Sequence, residues 1–325
     1  MKYLFIGDIH IDKYKDLIDE NIHILESFLD NDIKNVIIPG DVFESHEKTN
    51  TYAVNKLQSF FEKYDEKFFY ILIGNHDTYY KNKLHPNSLT NNFSHIKNCL
   101  IIDRPYEFNE FLLVPWICEE NYEECIDAIK KSNKKYCVGH FDFNGFYVVT
   151  DTKYRNSILK ISDFDKFKRV ISSHFHIRQE IGNILYLGSI KQTTWNDFKN
   201  IKGYHILDVS TDEMIFFNKS KEIYKHLILE NKDSDFEIDE YKDCYIKIFH
   251  NEKLSKKQFD KIELLTKEVR SYKIFDESVE LNEVKIERIK FSEVLNEFFQ
   301  HQHEIEDDFK NDVKDYLLMK YNEGQ

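Results

Sequence analysis

Four of the nine glycines stand directly before a residue that can ligate a metal: Gly7-Asp8, Gly40-Asp41, Gly74-Asn75 and Gly139-His140. Each pair follows an apolar run, and a fifth run ends at Ser172-Ser173 and leads into His174-Phe175-His176. One aspartate after a strand is ordinarily a helix cap or a turn former. Five such places in succession ask for a chemical reason. Glycine there lets the backbone turn sharply and lets a second body, an ion with its substrate phosphate, approach closely. Carboxylate, imidazole and amide oxygen without a thiolate suit Mn²⁺ and similar borderline ions, and disfavour structural zinc. Two ions about 3.5–4 Å apart can hold one phosphodiester, lower the pKa of a shared water and stabilise the leaving oxygen. So close a pair needs a bridging carboxylate, and Asp41, central in the order, is the candidate.

The elements that must carry these residues are legible as alternating strands and helices. Tyr3 to Ile6, Val36 to Ile38 and Phe68 to Ile73 read as buried strands. Between them Ile18, Ile22, Leu25 and Leu29, then Val54, Leu57, Phe61 and Tyr64, recur at helical spacing. That is a βαβαβ start, whose sites lie at the carboxyl ends of the strands. Further strands are expected at Leu112 to Val114, Tyr136 to Val138, Val170 to Ser172, Leu185 to Leu187 and Tyr204 to Val209, with a helix at Asn121 to Lys130. Beyond about residue 220 there is no proline, Gly324 is the one glycine, and charge-rich segments take over. Tyr245 to Phe249, a helical stretch 255–270 and Val284 to Ile289 suggest a small α+β domain. Val294, Leu295, Phe298, Ile305, Phe309, Val313, Tyr316 and Leu317 then share one face of one or two helices.

A chain of 325 residues with 41% hydrophobic content can bury a full core and has room for a second, smaller domain. No apolar run reaches membrane-spanning length, and MKYLFIGDIH meets charge too soon for a signal peptide, so a cytoplasmic protein is expected. Five cysteines without a CxxC pair indicate reduced, mostly buried thiols. The formal charge of −13, divided into −5 over residues 1–220 and −8 beyond, excludes binding of nucleic acid by bulk field. Two bound divalent ions would offset most of the first deficit and allow phosphate to bind locally.

The ordered set Asp8-x-His10, Gly40-Asp41-Val42-Phe43, Gly74-Asn75-His76-Asp77, Gly139-His140 and His174-x-His176 resembles the five motifs of calcineurin-like phosphoesterases. The GDxF form and the stretches GNHDTYYKNKLHPN, PWICEEN and CVGHFDFNGFY are similar to SbcD-type nuclease subunits, closest to the recombination endonuclease subunits of tailed phages. The motifs span residues 8–176. The resemblance implies an α/β sandwich of sheets flanked by helices over residues 1–220. After it would come an α+β capping or DNA-binding domain at 221–290 and a helical segment at 291–325 that docks on an SMC-like ATPase of the SbcC type. It also implies that Asp8, His10, Asp41 and His176 bind one ion, and Asp41, Asn75, His140 and His174 the other. His76 would sit over the scissile phosphate, to stabilise the transition state or protonate the leaving oxygen. The activity implied is a Mn²⁺-dependent (or Mg²⁺-dependent) DNA nuclease, exonucleolytic on duplex ends and endonucleolytic on single strands. It would work as a homodimer within a heterotetramer, in the host cytoplasm and without a membrane.

Two positions depart from the pattern. Glu44 stands where the cellular nucleases carry His, and Ser173 where Gly often precedes the last HxH. An acid at position 44 also occurs in the phosphatase branch, from where it reaches the active-site His; Glu44 is therefore expected to hold His76 by its carboxylate. That leaves a metallophosphatase or small-nucleotide phosphodiesterase as a competing enzyme. A scaffold on a decayed domain is the competing non-enzyme, against which all seven ligand positions are filled. His301 and His303 lie two apart on a helix and point to different faces. Lys153, Tyr154 and Arg155 read either as a solvated loop or as a track for a DNA backbone.

Overall fold

The computed structural model describes residues 1–11, 15–149, 152–219 and 221–277. Its first half runs β1 (Lys2–Phe5), α1 (Lys15–Leu29), β2 (Asn35–Ile38), α2 (Thr51–Lys63), β3 (Phe68–Leu72), α3 (Ser88–Phe93), β4 (Cys99–Ile102), β5 (Tyr106–Phe108), β6 (Phe111–Val114), α4 (Tyr122–Lys131) and β7 (Tyr136–His140). Then follow β8 (Tyr147–Val149), β9 (Thr152–Lys153), β10 (Arg169–Ser173), β11 (Gln179–Ile181), β12 (Ile184–Tyr186), β13 (Gly203–Asp208), β14 (Glu213–Asn218), β15 (Tyr224–Leu229), β16 (Tyr245–His250), α5 (Lys256–Leu265) and β17 (Ser271–Asp276).

One sheet has the order β14-β13-β1-β2-β3-β4, the other β11-β12-β10-β7-β6-β5. Strands β1 to β4 are parallel neighbours in the first, and β12, β10, β7 and β6 in the second. Their apolar runs are continuous because both faces of each sheet are covered. Tyr3, Phe5 and Ile37 point inward to meet Leu113, Val138, Ile171 and Leu185 of the opposite sheet. The alternate residues Leu4, Val36 and Ile38 point outward into a core with Ile18, Leu25, Leu57 and Phe61 of α1 and α2. Leu112, Cys137 and Val170 do the same on the far side, against Cys125 and Ile129 of α4. The result is a two-sheet sandwich flanked by helices, as the family resemblance implied. Parallel strands within each sheet bring their carboxyl ends to one edge.

By its contacts the described chain divides into Met1–Leu227 with Glu237–Lys247 and Lys261–Lys273, and a second unit of Ile228–Phe236, Ile248–Asp260 and the described residues 274–277. Strands β15, β16 and β17 form a three-stranded sheet in that order. The helix expected over 255–270 stops at Leu265. Beyond it the Arg270 amide donates to Cys244 O and the Glu268 carbonyl accepts from Asp243, so the chain is drawn into strand pairing instead. All five cysteines are free and buried. No helix among the described residues is long and apolar enough to cross a membrane. The strand expected at Val284 to Ile289, the helical face after residue 291, and His301 and His303 lie outside the described residues.

Candidate metal centre

The loops that leave β1, β2, β3, β7 and β10 deliver the seven candidate ligands to one place. His10 Nε2 lies 2.9 Å from His176 Nε2 and 3.6 Å from Asp41 Oδ2. His140 Nε2 lies 3.2 Å from Asp41 Oδ2 and 2.9 Å from Asn75 Oδ1, and His174 Nδ1 is also 2.9 Å from Asn75 Oδ1. Asp8 is fully buried; its Oδ1 accepts the His174 amide at 2.9 Å, while Oδ2 has no hydrogen-bond partner. A buried carboxylate oxygen left bare beside converging imidazole nitrogens is costly unless a cation completes it. The donor set fits divalent ions: oxygens and imidazoles, no thiolate. Asp41 faces both halves of it.

Strain is stored here. His10 (φ 46°), Asp41 (φ 52°) and His174 (φ 95°) all occupy the left-handed region, at about 1–3 kcal/mol each. Neighbours hold them there. The Ile9 and His10 amides both donate to Asp41 O at 3.0 Å, and buried Asn21 on α1 donates to Ile9 O and His10 O. The glycines serve this loop-on-loop packing and do not leave gaps for an ion and substrate, which corrects the expectation above. At Gly40 (φ +105°) a Cβ would lie 2.6 Å from His140 Nδ1, and at Gly74 it would collide with the Asp41 main chain and carboxylate.

Burial and neighbouring charge oppose each other at these groups. Burial lowers the His10 imidazole, but Glu44, Asp41 and Asp8 outweigh it and raise it to about 9. His140 is likewise raised to about 9 by Asp41 and Asp8 against its burial. Burial, then His140, pushes His174 down to about 3. Asp41 stays below the carboxylate range despite burial, because His140, His10 and His76 surround it.

His76 stands at the rim. Its amide donates to Asp41 Oδ1 at 2.9 Å, and its ring lies edge-on to His10 and stacked on His46, with centroids 4.9 and 4.5 Å away. It comes close enough to His10 and Asp41 to share an ion with them. The contact expected from Glu44 differs. The Glu44 main-chain carbonyl accepts from His76 Nδ1, and its carboxylate turns to His10 Nδ1. Of the three residues read either as a solvated loop or as a backbone track, Tyr154 packs on Phe175 and Lys153 lies over Tyr147.

Several supporting residues escaped the sequence reading. Buried Asp77 accepts the Val42, Phe43 and Gly74 amides and so ties the Asp41 loop to the Asn75 loop; burial, then Asp41, raises its carboxyl to about 7. Its place inside the Gly74 motif was the available signal. Trp116 lies 5.3 Å from His174, and Lys202, paired with Asp197 at 2.6 Å, donates to His176 O. Nothing in their spacing marks them.

Residues 1–178 match the family model for calcineurin-like phosphoesterases, and the chain belongs to that family of metal-dependent phosphoesterases. It is similar to exonuclease subunit 1 of Enterobacteria phage T4, with 31% identity over 229 residues, 66% of this chain and 67% of that one. It is also similar to a protein of Invertebrate iridescent virus 6 described as a phosphoesterase, 244L, at 29% identity over 72% of this chain and 87% of the relative. A solved archaeal phosphodiesterase is 13% identical, with 67% of this chain and 99% of that one covered, at a TM-score of 0.35.

Proposed function

We propose that this metallophosphoesterase is a Mn²⁺-dependent DNA nuclease acting with an SMC-like ATPase, exonucleolytic on duplex ends and endonucleolytic on single strands. The observation that carries the reading is the convergence on Asp41, whose Oδ2 lies within 3.6 Å of both His10 Nε2 and His140 Nε2. Two divalent ions bound there would polarise the phosphodiester, lower the pKa of a water and stabilise the leaving oxygen. The remaining work falls to side chains. His76 donates from Nδ1 to a carbonyl, which fixes its tautomer and leaves Nε2 free to act on the substrate. His46, itself hydrogen-bonded through Nδ1 to Thr78 O, stacks on that ring and restricts its rotation. The Glu44 carboxylate stands 2.9 Å from His10 Nδ1 and would make that ring a stronger ligand.

The similarity to a phage exonuclease subunit supports DNA as the substrate. The phosphatase alternative shares the fold and drew slight support from a Glu44 carboxylate acting on His76; with that carboxylate 2.9 Å from His10 Nδ1, that support is withdrawn. In this reading 221–290 caps the site and helps bind DNA, 291–325 docks on the ATPase, and the complex is a heterotetramer built on a homodimer in the host cytoplasm. Incubation with Mn²⁺ and labelled duplex DNA, single-stranded DNA or p-nitrophenyl phosphate, with and without the ATPase, tests it. Cleavage of DNA well above monoester hydrolysis is expected; the reverse order would overturn the proposal.

A further inference from the structure

Away from the metal centre, a row of aromatic rings flanked by two cations runs over the turn Trp195–Asp197, the residues just after it, and strands β15 and β16. His226 lies face to face on Phe198, with centroids 3.8 Å and planes 22° apart. Trp195 is 5.8 Å from the same imidazole and edge-on to Tyr224 at 5.1 Å. A lysine closes each end: Lys247 Nζ lies 4.3 Å over the Trp195 ring and Lys199 Nζ 5.3 Å over Phe198. Burial, then Lys247 and Lys199, lowers the His226 imidazole, so both ammonium groups bear on one spot.

In a chain where acids exceed bases by 13, cations normally find carboxylates. Among the described residues neither Lys199 nor Lys247 forms an ion pair. Nor is the ladder a closed core, since Trp195, Phe198 and His226 each keep part of their surface in solvent. Its frame is rigid. Asp197 closes the turn with a capping box and pairs with buried Lys202, which donates to His176 O at 2.6 Å, so the turn is fixed to a loop of the metal centre.

We propose that this ladder is a platform for single-stranded DNA, in which bases stack on Phe198 and Trp195 while Lys199 and Lys247 meet the flanking phosphates. The inference rests on the nuclease reading for the identity of the polyanion. Its test does not depend on cleavage. Fluorescence anisotropy of a labelled oligo(dT) 16-mer would be followed in EDTA at several salt concentrations, for the full-length chain, the Lys199→Ala/Lys247→Ala double variant and Phe198→Leu. The double variant is expected to bind about tenfold more weakly, with its salt slope reduced by about 1.4, since each phosphate neutralised on a single strand contributes about 0.7. Phe198→Leu, which keeps an apolar side chain but no ring face, should lose about fivefold with the slope unchanged. All three should hydrolyse bis(p-nitrophenyl) phosphate alike. If the chain cuts no DNA yet shows this binding pattern, the nuclease reading fails and the platform stands. Unchanged affinity and slope in the variants would overturn the platform. So would equally tight binding of a poly-glutamate peptide, which would assign the patch to an acidic protein.

Discussion

The Glu44 carboxylate lies 2.9 Å from His10 Nδ1, and the Glu44 main-chain carbonyl lies 2.8 Å from His76 Nδ1. One residue thus sets a carboxylate beside a candidate metal ligand and holds the candidate catalytic imidazole with its backbone. A carboxylate behind a ligating imidazole raises the basicity of the ring and fixes which nitrogen faces the ion.

Glu44→Gln keeps the size and removes the charge. We expect one of the two ions to bind about 10-fold or more weakly, with kcat at saturating metal and its pH profile little changed. Calorimetric titration with Mn²⁺ beside single-turnover kinetics checks this. Unchanged metal affinity with a displaced alkaline limb would return the carboxylate to His76.

His76→Ala separates chemistry from metal binding. Both ions should stay bound while kcat falls by about 10²-fold or more, because the ring acts on the transition state. Because His76 also comes within ligand range of His10 and Asp41, loss of an ion in this variant would reassign it as a ligand.

His205 gives a pH dependence independent of the metal centre. Burial, then Arg178 and Arg169, pushes its imidazole down to about 3, and it accepts a hydrogen bond from Arg178 Nε at 3.0 Å. In the unfolded chain the ring titrates near the ordinary value of about 6.5. Between those values the unfolded state binds a proton that the native state does not, so stability falls as the pH drops below about 6.5, by about 1.4 kcal/mol per unit. His205→Gln keeps an acceptor for Arg178 and removes the titration. Urea unfolding between pH 7 and 4.5 should show a shallower loss for the variant; parallel curves would contradict the assignment.

The sheets were legible because each core strand is buried on both faces and reads as an unbroken apolar run, Tyr3 to Ile6 being one. Four of the seven candidate ligands were legible by the glycine before them, and His10, His174 and His176 by their place in the ordered motifs. What escaped was set by tertiary contact. The direction of the Glu44 carboxylate depends on a neighbour 34 positions earlier, and the Lys202 contact with His176 O crosses 26 residues. Strands β14 and β15 were missed because their faces are only partly buried and carry no clean alternation.

The central claim is that Asp41 joins two divalent ions that cleave a phosphodiester, and Asp41→Asn tests it most directly. The measurement is Mn²⁺ stoichiometry by calorimetry, together with single-turnover cleavage of labelled DNA, on the wild type and the variant. The account predicts two ions and cleavage that EDTA abolishes in the wild type, against one ion or none and cleavage at background in the variant, because a neutral amide cannot hold two dications so close. Two ions still bound by Asp41→Asn, with DNA cut at the wild-type rate, would contradict it.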